Sequence, residues 1–418
     1  MSIPPPAVPP ATGPATGTRP TTVLVNLLWL VPGVVGGSEE STTDALRAVA
    51  ELAPDDLEVR LAVLRPFLHA HPDLADAFAC EVLDLDGRSK PRRVLAEQSW
   101  LPRVTRRTGA SVVHHAGGVV PVRHPGRVVL TVHDLQPLDL PRNFRPTKRA
   151  YIRAMAGRSA RAAEVVVVPS RFTRDRVVAL LGVPPGRVEV VPWSVRATAA
   201  PSAPTMDPTA GATAGGEFPL PPVLGSDPFL LYPAITYPHK NHLTLLDAFA
   251  RVAAVEPDLH LVLTGGASAG EGEVEERLHR PDLAGRVLRT GRVPAPQLDA
   301  LFRHAVGVVV PSRYEGFGLP VLEAMARGVP VLAADAGSLP EVAAPEDLVP
   351  ATDAVAWADR MAELVREDPA ARARRIARNR ALAASFTPRR TAAGLLNAYR
   401  RAAGAGAGPA GPPPPTEP

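Results

Sequence analysis

The chain has 418 residues, 46 Lys plus Arg against 42 Asp plus Glu, one cysteine and a hydrophobic fraction of 45%. That apolar content supplies folded cores and excludes a wholly disordered protein, and at about 100 to 200 residues per domain the length allows two or three domains. The lone thiol, Cys80, excludes a disulfide framework and any multi-thiolate metal site, and a net charge of +4 is too small to argue for nucleic acid as a partner.

Proline placement divides the chain. Residues 1–20 hold seven prolines, 201–228 another seven and 404–418 six, in Ala/Gly/Thr-rich company. Such segments bury too little apolar surface to offset chain entropy, so the expectation is disordered tails at 1–20 and 404–418 and a linker at 198–227. Two folded domains remain, 21–197 and 228–403. The first opens with an apolar run, Thr22 to Leu30, a loop from Val31 to Gly37, and Ser38 as helix N-cap with Glu39 and Glu40 in the first turn. Further short strands are predicted at Leu57–Leu64, Val112–His114, Arg127–Thr131 and Glu164–Val168. In the second domain, strands at Phe229–Tyr232, Leu259–Leu263, Arg286–Arg289, Val306–Val310 and Val329–Ala333 alternate with helices near Leu243–Val255 and Pro296–His304. Alternating elements with near-continuous apolar strands predict an α/β protein of two Rossmann-like, doubly wound parallel sheets facing across a cleft, and its ligands should bind beyond the strand carboxyl ends.

The apolar run Val23 to Val35 is interrupted by Asn26, Pro32 and Gly33 and is too short to span a bilayer, and no basic leader precedes it. A cytoplasmic protein is expected. Arg142 to Arg161 carries seven basic residues and no acidic one. In an Arg-biased chain this reads as a solvated helix face; the sharper reading is peripheral contact with an anionic inner-membrane face.

The richest loop runs Pro311-Ser312-Arg313-Tyr314-Glu315-Gly316-Phe317-Gly318-Leu319-Pro320, with Glu323 inside the helix that follows and Gly328 and Pro330 ending it. Gly316 and Gly318 let the backbone approach a ligand closely, at a helix N-terminus whose free N–H groups favour an anion. Glu315 and Glu323 can face the same cleft and accept hydrogen bonds from sugar hydroxyls. A lone Gly-x-Gly would read as a helix cap; with the strand before it, Pro320, Gly328 and the glutamate spacing, it reads as a diphosphate cradle.

This stretch resembles the E-x7-E segment of the family 4 glycosyltransferases, which have the GT-B fold. Tyr237-Pro238-His239-Lys240-Asn241 is similar to their donor-phosphate loop, His133-Asp134 to their His-Asp element, Gly36-Gly37-Ser38-Glu39 to their first glycine loop, and Pro169-Ser170-Arg171-Phe172-Thr173 to the segment before the linker. The resemblance implies a retaining hexosyltransferase that moves a sugar from GDP-mannose or a UDP-hexose to an acceptor hydroxyl without an obligate metal or other cofactor. Carried onto this chain, it implies Glu323 on the ribose, Glu315 on the donor sugar with the Gly316-Phe317-Gly318-Leu319 backbone, and Lys240 on the departing diphosphate. It further implies Gly36 and Gly37 closing from the other domain, His133 orienting the acceptor, and backbone at Gly291-Arg292-Val293 for the base. The family often has arginine where Ala234 stands, so any second phosphate cation must come from elsewhere, with His239 and Arg313 as candidates. Trp193-Ser194 replaces the more usual Asn-Gly near the domain hinge.

Other strings fail on context. Gly406-x-Gly408-x-x-Gly411 lies in a proline-rich tail, and Gly265 to Gly270 lacks the Lys-Ser/Thr of a phosphate-binding loop. Asp84-Leu85-Asp86 reads as a strand end, and the pairs His69/His71 and His114/His115 lack further metal ligands. A glycogen-type phosphorylase would need a cofactor lysine, and the chain has three lysines, Lys90, Lys148 and Lys240. A nucleotide-sugar epimerase on a similar scaffold and a non-enzymatic Pro-rich or basic interaction protein are the competing readings.

Overall fold

The computed structural model describes residues 19–141, 146–195, 221, 224–225 and 227–404. The tails and most of the linker expected from the proline content fall outside these residues, as do Arg142 and Arg145 of the basic stretch. One sheet holds β1 (Thr21–Asn26), β2 (Leu57–Leu64), β3 (Ala79–Leu83), β4 (Val112–His115), β5 (Arg127–Thr131), β6 (Val165–Val168) and β7 (Val188–Val190), in the order β3-β2-β1-β4-β5-β6-β7. The other holds β8 (Phe229–Pro233), β9 (His260–Thr264), β10 (Val287–Gly291), β11 (Gly307–Val310), β12 (Val331–Ala334) and β13 (Leu348–Val349), in the order β10-β9-β8-β11-β12-β13. Neighbouring strands are parallel throughout. The predicted pair of doubly wound sheets is therefore present.

The central strands read as they do because helices cover both faces. β6 is four consecutive valines, all buried, and β4, β11 and β12 are buried along their whole length. In each sheet the winding direction reverses once, between β1 and β4 and between β8 and β11. Ligands of open α/β sheets sit at that reversal, so the loops after these strands define the site before any side chain is considered.

Two expectations need correction. The first helix starts at Gly37, not after a Ser38 cap: Gly36 occupies the N-cap with φ 75° and ψ −143°, a backbone conformation glycine adopts at little cost, and no side chain caps the helix. Three strands went unpredicted, β3, β7 and β13; each lies at or near a sheet edge, and they are short or mixed in polarity. Asp84-Leu85-Asp86 does follow β3 directly, with Asp84 paired to Arg65 at 2.6 Å. Among the described residues no cluster of His, Cys, Asp or Glu is arranged to hold a metal, and no helix is long and apolar enough to cross a membrane.

The last helix, Pro388–Ala403, leaves the second domain and packs on the first, against helix Gly37–Leu52 and strands β4 to β7. Its face is small and apolar where it touches: a β-carbon on Gly394 would lie 2.9 Å from Val191. Polar contacts fix its register, Thr391 Oγ1 donating to the Pro192 carbonyl at 2.8 Å and Arg400 gripping Asp56 at 2.7 and 2.8 Å. At its centre Tyr399, fully buried, shares a 2.9 Å hydrogen bond with His114 Nδ1, whose other ring nitrogen meets Thr131 Oγ1 at 2.7 Å. Burial keeps His114 neutral, its pKa pushed down to about 3, so the ring serves as one donor and one acceptor. Tyr399→Phe leaves one of those nitrogens unpaired in a dry core and should lower unfolding stability by about 1–3 kcal/mol in urea titration. An unchanged midpoint would show that the bond contributes nothing.

Candidate active site

A cavity of about 470 Å³ opens where the two sheets face each other, lined by the loops after β1, β5, β8 and β11. Lys240, Glu315, His133, Glu323, Gly316, Phe317, Gly318, Leu319, Gly36, Gly37 and Val293 all line it. Residues far apart in sequence thus surround one space.

The helix Leu319–Arg327 provides its floor. Gly318 is the N-cap with φ 112°, strained for any other residue, and Pro320 sits in the first turn. First-turn amides of an α-helix have no intrahelical acceptor, so this N-terminus presents donors and a partial positive charge to the cavity. Phe317 contributes backbone rather than ring, for its side chain is buried against Phe386. One turn into the helix, Glu323 is partly buried opposite Glu40 of the other domain. Burial, then the nearby Glu40 carboxylate, push its pKa up to about 8 against a weaker opposing pull from Arg327.

Lys240 is placed by its backbone. It ends a 3-10 turn, Pro238–Lys240, before Asn241, which has φ 62° and whose side-chain amide donates to the carbonyls of Pro311 at 3.0 Å and Ala351 at 2.7 Å. The Lys240 carbonyl accepts from the buried Tyr232 hydroxyl at 2.7 Å. So held, its ammonium reaches Glu315 Oε1 at 2.6 Å, and the Glu315 carbonyl accepts from Ser338 Oγ at 3.0 Å.

His133, at the end of β5, donates from Nε2 to the Ala116 carbonyl at 2.9 Å. Its ring lies between Trp29 and Trp193, 5.7 Å from each, and burial pushes its pKa down to about 4. The neutral ring has Nε2 protonated and Nδ1 as an acceptor. Trp193, which departs from the family's usual residue, is thus part of the cavity wall.

Neither His239 nor Arg313 supplies the second cation. Burial, then the neighbouring Lys240, push the His239 pKa down to about 4, so the ring is neutral near pH 7, where it pairs with Gln136. Arg313 turns to Asn241 Oδ1 at 2.9 Å and does not line the cavity. Arg292 does line it, with Asp134 and Glu40, and sequence reasoning missed these three as side chains. Asp134 sits beside a candidate already named, a signal that was available; Arg292 and Glu40 approach only through the relation between the domains.

The two halves of the chain each match a family profile: residues 35–197 that described as Glycosyltransferase Family 4, and residues 221–381 that described as Glycosyl transferases group 1. The chain belongs to the family 4 type of glycosyltransferases. It is 26% identical to the O-antigen chain mannosyltransferase B of Escherichia coli over 63% of this chain and 64% of that protein. It is 32% identical to a D-inositol 3-phosphate glycosyltransferase of Xylanimonas cellulosilytica over 58% of each. The chain therefore matches less than two thirds of the length of these curated relatives. Among solved structures, the sucrose-phosphate synthase of Thermosynechococcus elongatus superposes with a TM-score of 0.69 at 20% identity, covering 91% of this chain and 98% of that one. The Anabaena HepE protein in complex with UDP and glucose superposes with a TM-score of 0.65 at 18% identity, covering 90% and 98%. These likenesses establish the GT-B fold of this family 4 member.

A carboxyl whose pKa is raised on folding destabilises the native state as pH climbs from the ordinary value of 4.5 to the native value near 8. Glu323→Gln should therefore match wild type in melting temperature near pH 4 and exceed it increasingly up to pH 8, with a constant gap above. A gap that does not change with pH would refute the burial argument.

Proposed function

We propose that this protein transfers a hexosyl group from a nucleoside diphosphate sugar to an acceptor hydroxyl, with retention of configuration and without an obligate metal. One observation carries the reading: Lys240 and Glu315 are paired at the N-terminus of helix Leu319–Arg327, inside the cleft between two parallel sheets. The donor diphosphate lies across the Gly318–Leu319 amides, with the ribose diol on Glu323 and the base toward Val293. On donor binding the Lys240 ammonium exchanges its Glu315 carboxylate for a diphosphate oxygen, and Glu315 is released to accept hydrogen bonds from the sugar hydroxyls. As the glycosidic bond breaks, negative charge grows on the leaving phosphate, and Lys240 with the helix N-terminus stabilises it where it appears.

No carboxylate is assigned as a covalent nucleophile, so the acceptor attacks on the face from which the diphosphate departs, and its hydroxyl proton passes to the leaving phosphate oxygen as the new glycosidic bond forms. His133 Nδ1 accepts a hydrogen bond from an acceptor hydroxyl and orients it, while Trp29 and Trp193 hold the ring. The donor is GDP-mannose or a UDP-hexose. A lipid-linked acceptor would bring Arg149, Arg153 and Arg161, exposed on the helix Pro146–Ala162, toward an anionic membrane face.

Thermal shifts with UDP, GDP, ADP and dTDP, each with and without magnesium, test the donor site. A ligand at about one hundred times its dissociation constant stabilises by about 2.7 kcal/mol, so one nucleotide should raise the melting temperature of wild type without metal, and that of Glu323→Ala far less. With the matching sugar donor, Lys240→Gln should lower kcat by about two to three orders of magnitude. Failure of all four nucleotides to shift wild type would overturn the reading.

A further inference from the structure

The cavity is short of positive charge for the ligand just assigned to it. A nucleoside diphosphate brings at least two negative charges, and the acidic groups Glu40, Asp134, Glu315 and Glu323 already line the space, with burial holding Glu40, Asp134 and Glu323 toward the neutral form. Among the described lining residues the cationic side chains are Lys240 and Arg292, because His133 and His239 are held neutral. Lys240 starts out neutralised by Glu315. Arg292 is exposed, and its Nη1 donates to the Gly33 carbonyl of the opposite domain at 2.7 Å. A guanidinium has five N–H donors, so that bond leaves others for an anion.

The stem of this arginine is given its course by a missing side chain. A β-carbon on Gly266, in the loop after β9, would lie 3.2 Å from Arg292 Nε. The side chain thus lies over the second domain's floor and reaches across the cleft to the loop 33–37. That loop is also held from its own domain, since Glu39 Oε2 accepts from the Gly33 amide at 2.9 Å and Glu39 Oε1 meets His71 Nε2 at 3.0 Å. Its far end abuts the cradle: a β-carbon on Gly37 would lie 3.4 Å from Leu319 Cδ1. Arg292 and the helix N-terminus therefore touch opposite ends of one short loop.

We propose that Arg292 is the second diphosphate-binding cation of this site and that its guanidinium, shared between the Gly33 carbonyl and the donor, ties diphosphate occupancy to closure of the loop 33–37. This rests on the cleft's being a nucleoside diphosphate site. A nucleoside or nucleoside monophosphate engages the fork weakly or not at all, whereas a diphosphate engages it and immobilises the loop.

The test is calorimetric titration of wild type, Arg292→Gln and Arg292→Lys with the nucleoside diphosphate that shifts wild type, its monophosphate and its nucleoside, at two salt concentrations. Hydrogen exchange of residues 33–37 is followed alongside. Hydrogen bonds to charged groups are worth about 1.5–3 kcal/mol, so Arg292→Gln should weaken diphosphate binding about ten- to hundred-fold. Nucleoside affinity should change little, the salt dependence should fall, and Arg292→Lys should recover part of the loss. Diphosphate should protect residues 33–37 in wild type and not in Arg292→Gln. Equal diphosphate affinity in wild type and Arg292→Gln, or an equal loss for all three ligands, overturns the assignment while leaving the donor site standing. Absence of any nucleotide binding by wild type removes the donor site itself.

Discussion

Gly316 is the point where the two sheets come into direct backbone contact, and the geometry of the cleft depends on its having no side chain. A β-carbon there would lie 2.1 Å from the His133 carbonyl oxygen. The Gly316 carbonyl in turn accepts from Ser170 Oγ at 2.7 Å and Thr173 Oγ1 at 3.0 Å, so a loop of the second domain is hydrogen-bonded into the first. Neighbouring residues tighten the same seam. Tyr314 inserts its hydroxyl between Asp139 at 2.9 Å and the Leu135 amide at 3.2 Å, and Glu341 accepts from the amides of Arg171 and Phe172, occupying the N-terminus of helix Arg171–Leu181 from across the cleft. Glu315 and Gly318 flank this seam. Their distance from His133 is consequently set by the close main-chain approach at Gly316 together with these side-chain to main-chain hydrogen bonds.

Electrostatics gives the cleft its second property. Acidic groups from both domains meet there, Glu40 and Asp134 from the first and Glu315 and Glu323 from the second. Like charges across a gap repel, and the raised pKa of Glu323 comes first from burial and then from that repulsion. Ligands rich in hydroxyl donors relieve it, since each carboxylate can accept several hydrogen bonds. A sugar nucleotide brings both hydroxyls for the carboxylates and an anionic centre for the helix N-terminus and Lys240. The arrangement of charges therefore matches a ligand with alternating polyol and diphosphate parts better than a simple anion or a simple sugar.

Much of this was legible in the chain because the informative residues are local. The loop from Pro311 to Pro320 carries its strand, turn and helix start in consecutive letters, and the strands are apolar runs bounded by glycine and proline. Lys240 could be placed because the segment after β8 resembles the donor-phosphate loop of the family. What escaped was whatever the partner domain decides. Arg292 reads as backbone for the base until Gly33 of the other domain faces its side chain, and His239 looks like a cation until burial beside Lys240 takes its proton away. The short edge strands β3, β7 and β13 escaped for another reason. Edge position relaxes the demand for apolar residues on both faces, so the pattern that betrays a central strand is diluted. Gly36 was misread as a loop residue before a serine cap, because a glycine's backbone angles leave no mark on composition.

The last helix, Pro388–Ala403, belongs by sequence to one domain and by packing to the other. The polypeptide therefore passes between the halves twice, once between Val195 and Asp227 and once near Thr387, where the threonine hydroxyl accepts from the Arg390 amide. A single crossover at the first passage exchanges more than the second domain, because the last helix travels with it. It separates His114 from Tyr399 and replaces the surface that Val191 packs on with an unrelated one. The genetic unit and the structural unit differ here: a working chimera must bring the first 195 residues together with a helix encoded almost two hundred residues downstream, and the second domain is an insertion within that unit.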